Sequence, residues 1–105
     1  LGLHVHMRLG VPPVASLVEL PSMRVVRTLA DNAQLRARLA EAGVGAPTFL
    51  KGPMPDGTLL DGYRIVPPGF DSTRKHPVLM HVYGGPASPQ VNDAWGGSRY
   101  LFHQY

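Results

Sequence analysis

The chain has 105 residues, of which 44% are hydrophobic and 16% charged, with a formal net charge of +3. This composition is typical of one small globular domain and excludes a disordered tail or a fibrous repeat. The absence of cysteine excludes disulfides, thiol catalysis and cysteine-bound zinc. The ten cations are scattered, so nucleic-acid binding is not expected. No apolar run reaches the roughly 18 residues that a membrane helix needs.

The first third of the chain predicts strands of an antiparallel meander. Apolar, valine-rich runs cover Leu3–Leu9 and Val11–Leu20, and Met23–Leu29 adds a third. Glycine and proline residues separate these runs and indicate turns. Because Pro12 and Pro13 lack an N–H to donate, we expect them in an edge strand or at the start of a strand.

A helix is predicted over Ala33–Ala42. Most residues of this segment are strong helix formers, Asp31 and Asn32 precede it as capping residues, and Gly43 follows it as a stop signal. Its charged residues are expected on the side of the helix that faces solvent, so their presence does not indicate a ligand-binding role.

A break near Gly45 is followed by a predicted pair of strands. These are Thr48–Lys51 and Thr58–Val66, joined through Asp56-Gly57, which is a strong turn signal. Further on, the unbroken apolar run Val78–Val82 predicts a strand that is covered on both faces, as in an α/β sheet. The aromatic pattern after Gly96-Gly97 predicts a last helix over Ser98–Tyr105, with Ser98 as its cap.

Tyr83 is the candidate functional residue, because it ends the predicted buried strand and enters a glycine-rich turn. A phenol hydroxyl can donate a hydrogen bond to an oxyanion that forms during acyl transfer. Gly84 and Gly85 would let the backbone turn sharply beside a substrate. The alternative is a strand-end tyrosine that packs beneath a loop and has no catalytic role.

The other polar residues indicate no second site. His4 and His6 share a strand face, but no third metal ligand lies at a recognisable spacing, so two solvated imidazoles are the better interpretation. His81 is expected to pack or form a hydrogen bond inside the sheet. No serine lies in a G-x-S-x-G motif, so the chain shows no nucleophile. Four carboxylates fall in predicted loops or turns and are interpreted as solvated turn residues: Asp56, Asp61, Asp71 and Asp93.

Several stretches of the sequence are similar to one enzyme family. The string HPVLMHVYGGPASPQVNDAWGG, followed by YLFHQY, resembles the prolyl oligopeptidase family, in particular bacterial members of its dipeptidyl peptidase IV branch. TLADNAQLRARL resembles the helix that links propeller to hydrolase in that branch, and DGYRIVPPGFDSTRKHPV resembles the first hydrolase strands. GVPPVASLVEL is similar to the closing strands of the propeller, so the resemblance covers nearly the whole chain.

The resemblance implies an α/β-hydrolase N-terminal portion, with a mixed sheet, preceded by the last strands of a β-propeller. Residues 1–31 would end the propeller, residues 32–45 would form the linker helix and boundary, and residues 46–105 would begin the peptidase domain. On this interpretation the chain is an internal fragment of a longer enzyme rather than a complete fold.

The activity implied is that of a serine exopeptidase that releases N-terminal X-Pro dipeptides from peptides. Tyr83 matches the family tyrosine whose hydroxyl forms half of the oxyanion hole. The Ser-Asp-His triad has no counterpart here, so the isolated chain is expected to be inactive. No metal or organic cofactor is implied. The resemblance is compatible with a homodimeric parent and with a bacterial periplasmic or cytoplasmic location.

Two alternatives remain at this level. Relatives of such hydrolases can lose the serine and keep the scaffold, which would make the parent a non-catalytic binding protein. The parent can also be another acyl-peptide hydrolase of the same family, since substrate choice depends on residues outside these 105.

Overall fold

A computed structural model describes residues 1–85 and 87–105, which form two small antiparallel sheets and two helices. One compact unit contains Leu1–Val44 together with Asp93–Tyr105, and the other contains Gly45–Asn92. In chain order the elements are β1 (Gly2–Arg8), β2 (Val11–Glu19), β3 (Arg24–Ala30), α1 (Ala33–Glu41), β4 (Thr48–Pro53), β5 (Leu59–Arg64) and α2 (Gly97–Phe102).

The first three strands form the predicted meander, in the order β1-β2-β3. The register pairs His6 with Val14 and Arg8 with Val11, so Pro12 and Pro13 of β2 together lie opposite Met7 of β1. This is a β-bulge, in which two residues of one strand face a single residue of its neighbour. The prolines therefore lie near the start of a strand, as predicted, but that strand is central rather than at an edge. The bulge accommodates residues that cannot donate to the ladder.

The buried side chains of the first unit lie mainly on β2. Val18 is only 1% exposed, and Pro12 and Ser16 are also buried. In contrast, Leu3 and Val5 on β1 are exposed although they are large and apolar. Only the central strand, which has a neighbour on each side, is therefore well covered within the described residues.

Helix α1 begins and ends with local hydrogen bonds that agree with the predicted helix over residues 33–42. The Asp31 carboxylate accepts from the Ala33 N–H at 3.0 Å. The Asn32 carboxamide instead donates to the Pro13 carbonyl at 2.7 Å, which ties the start of the helix to β2. At the other end, Gly43 has φ +64° and its N–H donates to the Ala40 carbonyl. The Val44 N–H also reaches back to the Leu39 carbonyl, which completes a Schellman motif.

Helix α2 differs slightly from the prediction, because its N-cap is Gly96 and not Ser98. Gly96 has φ +77°, a backbone conformation that glycine adopts at little cost. No side chain in the described part of the chain caps this helix with a hydrogen bond. Among the described residues, no helix combines the length and the apolar character needed to cross a membrane.

The segment that contains α2 is attached to the turn between β1 and β2 by the Asp93 carboxylate. Its Oδ1 accepts from the Leu9 N–H at 2.9 Å, and its Oδ2 accepts from Arg8 Nε at 3.1 Å. Leu9 and Tyr100 are buried beside this contact, at 8% and 3% exposure. Asp93 is an exposed residue in a bend, as predicted, but it also makes this long-range contact, which the sequence did not indicate. Its partners lie at the opposite end of the chain, where no local pattern could indicate them.

Strands β4 and β5 form the predicted hairpin around Asp56-Gly57. The Gly57 N–H donates to the Met54 carbonyl at 2.9 Å, and Gly57 has φ +86°. The Asp56 carboxylate accepts from the Thr58 N–H at 2.9 Å, a typical Asx turn. Asp61 lies within β5 and pairs with Lys51 across the hairpin, so its interpretation as a loop residue was wrong.

The segment 78–82 forms no strand, which contradicts the prediction of a buried one. Val78, Met80 and Val82 are between 75% and 83% exposed, and His81 is exposed as well. A strand covered on both faces requires hydrogen-bonded neighbours, and the described part of the chain pairs none with this run. The apolar sequence is thus present without the sheet that would bury it, and the expectation that His81 packs inside a sheet was wrong.

Replacing Gly57 with alanine is expected to lower the free energy of unfolding by about 1 kcal/mol, because a Cβ is unfavourable at this positive φ. Gly52→Ala is the matched control in the same hairpin. A Cβ at either position meets no atom within 4 Å among the described residues, but only Gly57 has a left-handed backbone. Urea unfolding of both variants measures the difference, and equal stabilities would contradict the turn geometry.

The Asp93 contact is expected to weaken in acid. The Leu9 N–H and the Arg8 side chain lower the pKa of Asp93, with a smaller contribution from His6. A carboxyl group with a lowered folded pKa stabilises the protein above its unfolded pKa of about 3.9 and loses that contribution as the pH falls through the folded pKa.

The stability difference between the unsubstituted protein and Asp93→Asn should therefore be constant near neutral pH and shrink below about pH 4. Urea unfolding of both proteins over a pH series measures it. A difference that stays constant into strong acid would show that the charge on Asp93 contributes nothing.

Candidate functional site

Tyr83 lies in an irregular segment that follows the hairpin, and its side chain is 52% exposed. The phenol ring is therefore accessible to a molecule in solvent. The prediction that a tyrosine stands exposed beside a glycine-rich turn agrees with this position, although the strand expected before it is absent. Pro86, the last residue of the Y-G-G-P string, lies outside the described residues.

The two glycines after Tyr83 have different surroundings. A Cβ placed on Gly85 would lie 3.1 Å from Cε1 and 3.6 Å from the hydroxyl oxygen of Tyr83, so the ring folds back over the Gly85 backbone. A Cβ on Gly84 would meet no atom within 4 Å among the described residues. The absent side chain of Gly85 thus makes room for the ring, whereas Gly84 has no such role.

This geometry supplies one hydrogen-bond donor on an exposed ring. A phenol O–H can donate to a carbonyl or alkoxide oxygen, and such donors stabilise charge that develops in an acyl-transfer transition state. The ring packs against its own loop backbone at Gly85 and is about half exposed. The arrangement can therefore assist a reaction by donating a hydrogen bond.

The histidines show the solvated arrangement expected for most of them. The rings of His4 and His6 stack with centroids 6.3 Å apart on the exposed strand β1. His76 packs against Phe70, and its Nε2 lies 2.8 Å from the Asp71 carbonyl oxygen. Within residues 1–85 and 87–105, no group of three or more histidine, cysteine or acidic side chains is placed to hold a metal ion.

Two of the loop carboxylates stabilise their own turns. Asp71 accepts from the hydroxyl and the N–H of Thr73, and these bonds lower the pKa of Asp71. Asp56 accepts from Thr58, which lowers the pKa of Asp56 in the same way. Both contacts are local, as expected of solvated turn residues, and neither residue is paired with a second carboxylate for acid-base chemistry.

Substituting Gly85 with alanine is expected to move the Tyr83 ring, because a new methyl group 3.1 Å from Cε1 requires the ring to shift. Gly84→Ala, one residue earlier, is the matched control and should leave the ring in place. NMR spectra of the protein with labelled tyrosine rings would report a changed Tyr83 resonance only for Gly85→Ala. Unchanged Tyr83 resonances in both variants would mean that the ring does not pack on Gly85.

Comparison with known proteins points to one group of peptidases, although no family model matches the chain. The chain is 31% identical over 83 residues, 79% of its length, to a protein of Aspergillus flavus named probable dipeptidyl peptidase 4. It is 32% identical over 74 residues, 70% of its length, to a probable dipeptidyl peptidase 4 of Trichophyton verrucosum. A dipeptidyl peptidase 4 of Arthroderma otae is 33% identical over 70 residues, 67% of the chain.

The chain spans only 11%, 10% and 9% of the length of these three relatives, respectively. The shared segment is therefore a small part of much longer proteins. The similarity nevertheless extends over at least two thirds of the chain in each case. The similarity to these relatives supports a relationship of the chain to the dipeptidyl peptidase IV family.

Proposed function

We propose that the chain is part of a serine exopeptidase of the dipeptidyl peptidase IV branch, which releases N-terminal dipeptides whose second residue is proline. Two observations support this proposal. The relatives named dipeptidyl peptidase 4 match at least two thirds of the chain, and the Tyr83 loop holds an exposed phenol where the family pattern has its oxyanion tyrosine. A bacterial parent, a homodimeric state and a periplasmic or cytoplasmic location stay predictions from the sequence resemblance.

The exposed Tyr83 ring is the observation that carries the proposed mechanism. When a serine hydroxyl adds to the substrate carbonyl, the carbonyl oxygen gains a full negative charge. A phenol O–H that points at this oxygen forms a stronger hydrogen bond to the tetrahedral intermediate than to the neutral carbonyl. Tyr83 would therefore accelerate the acylation step, while the triad that supplies the nucleophile lies outside these 105 residues.

The proposed domain organisation places residues 1–31 at the end of a propeller, residues 32–45 in a linker helix and residues 46–105 at the start of a hydrolase domain. The meander of β1 to β3 and the helix α1 support the first two assignments. The two compact units separate between Val44 and Gly45, near the proposed boundary. The segment Asp93–Tyr105 belongs to the first unit, so its assignment to the hydrolase domain rests on the sequence resemblance alone.

The Tyr83→Phe substitution in the full-length protein tests this function. Loss of one oxyanion donor is expected to lower kcat about 100-fold to 1000-fold, with a smaller change in KM, because the hydrogen bond is strongest in the transition state. Cleavage of a Gly-Pro chromogenic amide measures both constants. Tyr63→Phe in strand β5 is the matched control, since its ring packs against Phe49 in the hairpin, and it should keep kcat.

An unchanged kcat in Tyr83→Phe would remove Tyr83 from the mechanism. Preference for an N-blocked analogue over the free Gly-Pro amide would reject the exopeptidase and favour another acyl-peptide hydrolase. Absence of cleavage, together with absence of a G-x-S-x-G motif later in the full-length sequence, would favour a non-catalytic binding protein.

A further inference from the structure

The Asp93 carboxylate differs from the other acidic groups of the loops in the reach of its contacts. Asp56 and Asp71 accept hydrogen bonds from residues two positions further along the chain. Asp93 instead contacts Arg8 and Leu9, which are 85 and 84 positions away in sequence. Both of its oxygens are engaged, one by a backbone N–H and one by a guanidinium. A contact of this kind fixes the position of a segment rather than the shape of a turn.

Apolar packing beside Asp93 restricts the same segment further. Tyr100 of α2 is buried, and its ring lies 5.8 Å from the Trp95 ring, centroid to centroid. A Cβ on Gly96 would lie 2.9 Å from the Tyr100 Cβ and 3.6 Å from Leu9 Cδ1, so the backbone here is closely packed. The polar contact and the packed cluster together hold residues 93–100 against the turn between β1 and β2.

The Tyr83 loop, which runs from Tyr83 to Asn92, leads directly into the segment 93–100. Between Tyr83 and Asp93 the described residues form neither helix nor strand, so no regular structure of their own restrains them. A loop that is held at its far end has fewer conformations than one that is free there. Catalytic groups that depend on orientation gain from such restraint, since a displacement of about 1 Å can cost roughly 100-fold in rate.

From these contacts we infer that Asp93 is a positioning residue for Tyr83: by binding Arg8 and the Leu9 N–H, it anchors the end of the loop that presents the phenol. This inference rests on the proposed function. Asp93 does not touch substrate and acts only through the loop.

The experiment compares Asp93→Asn with Asp71→Asn in the full-length protein. Both substitutions neutralise an exposed, hydrogen-bonded loop carboxylate, but only the first removes a long-range contact. Asp93→Asn is expected to lower kcat on the Gly-Pro amide about 10-fold to 100-fold, with a smaller change in KM. Asp71→Asn should keep kcat. Thermal melts of both variants verify that they remain folded.

Arg8→Ala provides a second, milder variant, because it leaves the Leu9 N–H free to bind Asp93. It should lower kcat less than Asp93→Asn does. The double variant Arg8→Ala/Asp93→Asn should lose about as much as Asp93→Asn alone, since both changes break one shared contact. Fully additive losses would show that the two residues act independently and would overturn the inference.

Hydrogen exchange gives a readout that does not depend on activity. The backbone amides of the residues from Gly84 to Asn92 other than the two prolines should exchange faster in Asp93→Asn than in Asp71→Asn. A lower kcat without faster exchange, or faster exchange with an unchanged kcat, would overturn the inference and leave the proposed function standing. If the unsubstituted protein has no peptidase activity, the proposed function fails, and exchange alone then decides whether Asp93 restrains the loop.

Discussion

The two hydrogen bonds of the Asp93 carboxylate connect the last part of the chain to the first sheet. Strands β1 to β3 form by local pairing, but nothing local places α2 beside them. The carboxylate satisfies the Leu9 N–H at the turn and pairs with Arg8, both at ordinary hydrogen-bond lengths. Leu9 and Tyr100 are both buried, and Gly96 lies close to each of them. An ion pair at a half-exposed site stabilises a protein only modestly, so the burial of Leu9 and Tyr100 also contributes to holding the two segments together.

Local sequence signals predicted most of the regular structure correctly. The helix over residues 33–41 could be located because its capping residues, its helix formers and its glycine stop all lie within one short segment. The hairpin was equally predictable from the sequence, because Asp56 and Gly57 are sufficient to indicate the turn. Asp93 could not be interpreted in this way, because its partners Arg8 and Leu9 are brought near it only by the fold.

The candidate site was predictable to a different extent. The position of Tyr83 before two glycines indicated an exposed ring beside a turn. The ring occupies the space that the missing side chain of Gly85 leaves. The strand predicted before Tyr83 did not form. The apolar pattern of Val78–Val82 indicates that the segment is suited to burial, but it does not show which strands are available to pair with it. Hydrophobicity alone shows that a segment suits an interior; a sheet also requires backbone partners.

The pair of prolines in β2 has a consequence for the alignment of the first sheet. Pro12 and Pro13 face Met7 where the ladder is interrupted, so the two residues that have no N–H lie at the bulge rather than within the regular pairing. Sliding β2 by one residue along β1 would bring a proline nitrogen opposite a carbonyl that needs a partner, and would also turn Val18 to the opposite face. The proline pair and the buried Val18 therefore both disfavour a sheet in which β2 is shifted by one residue.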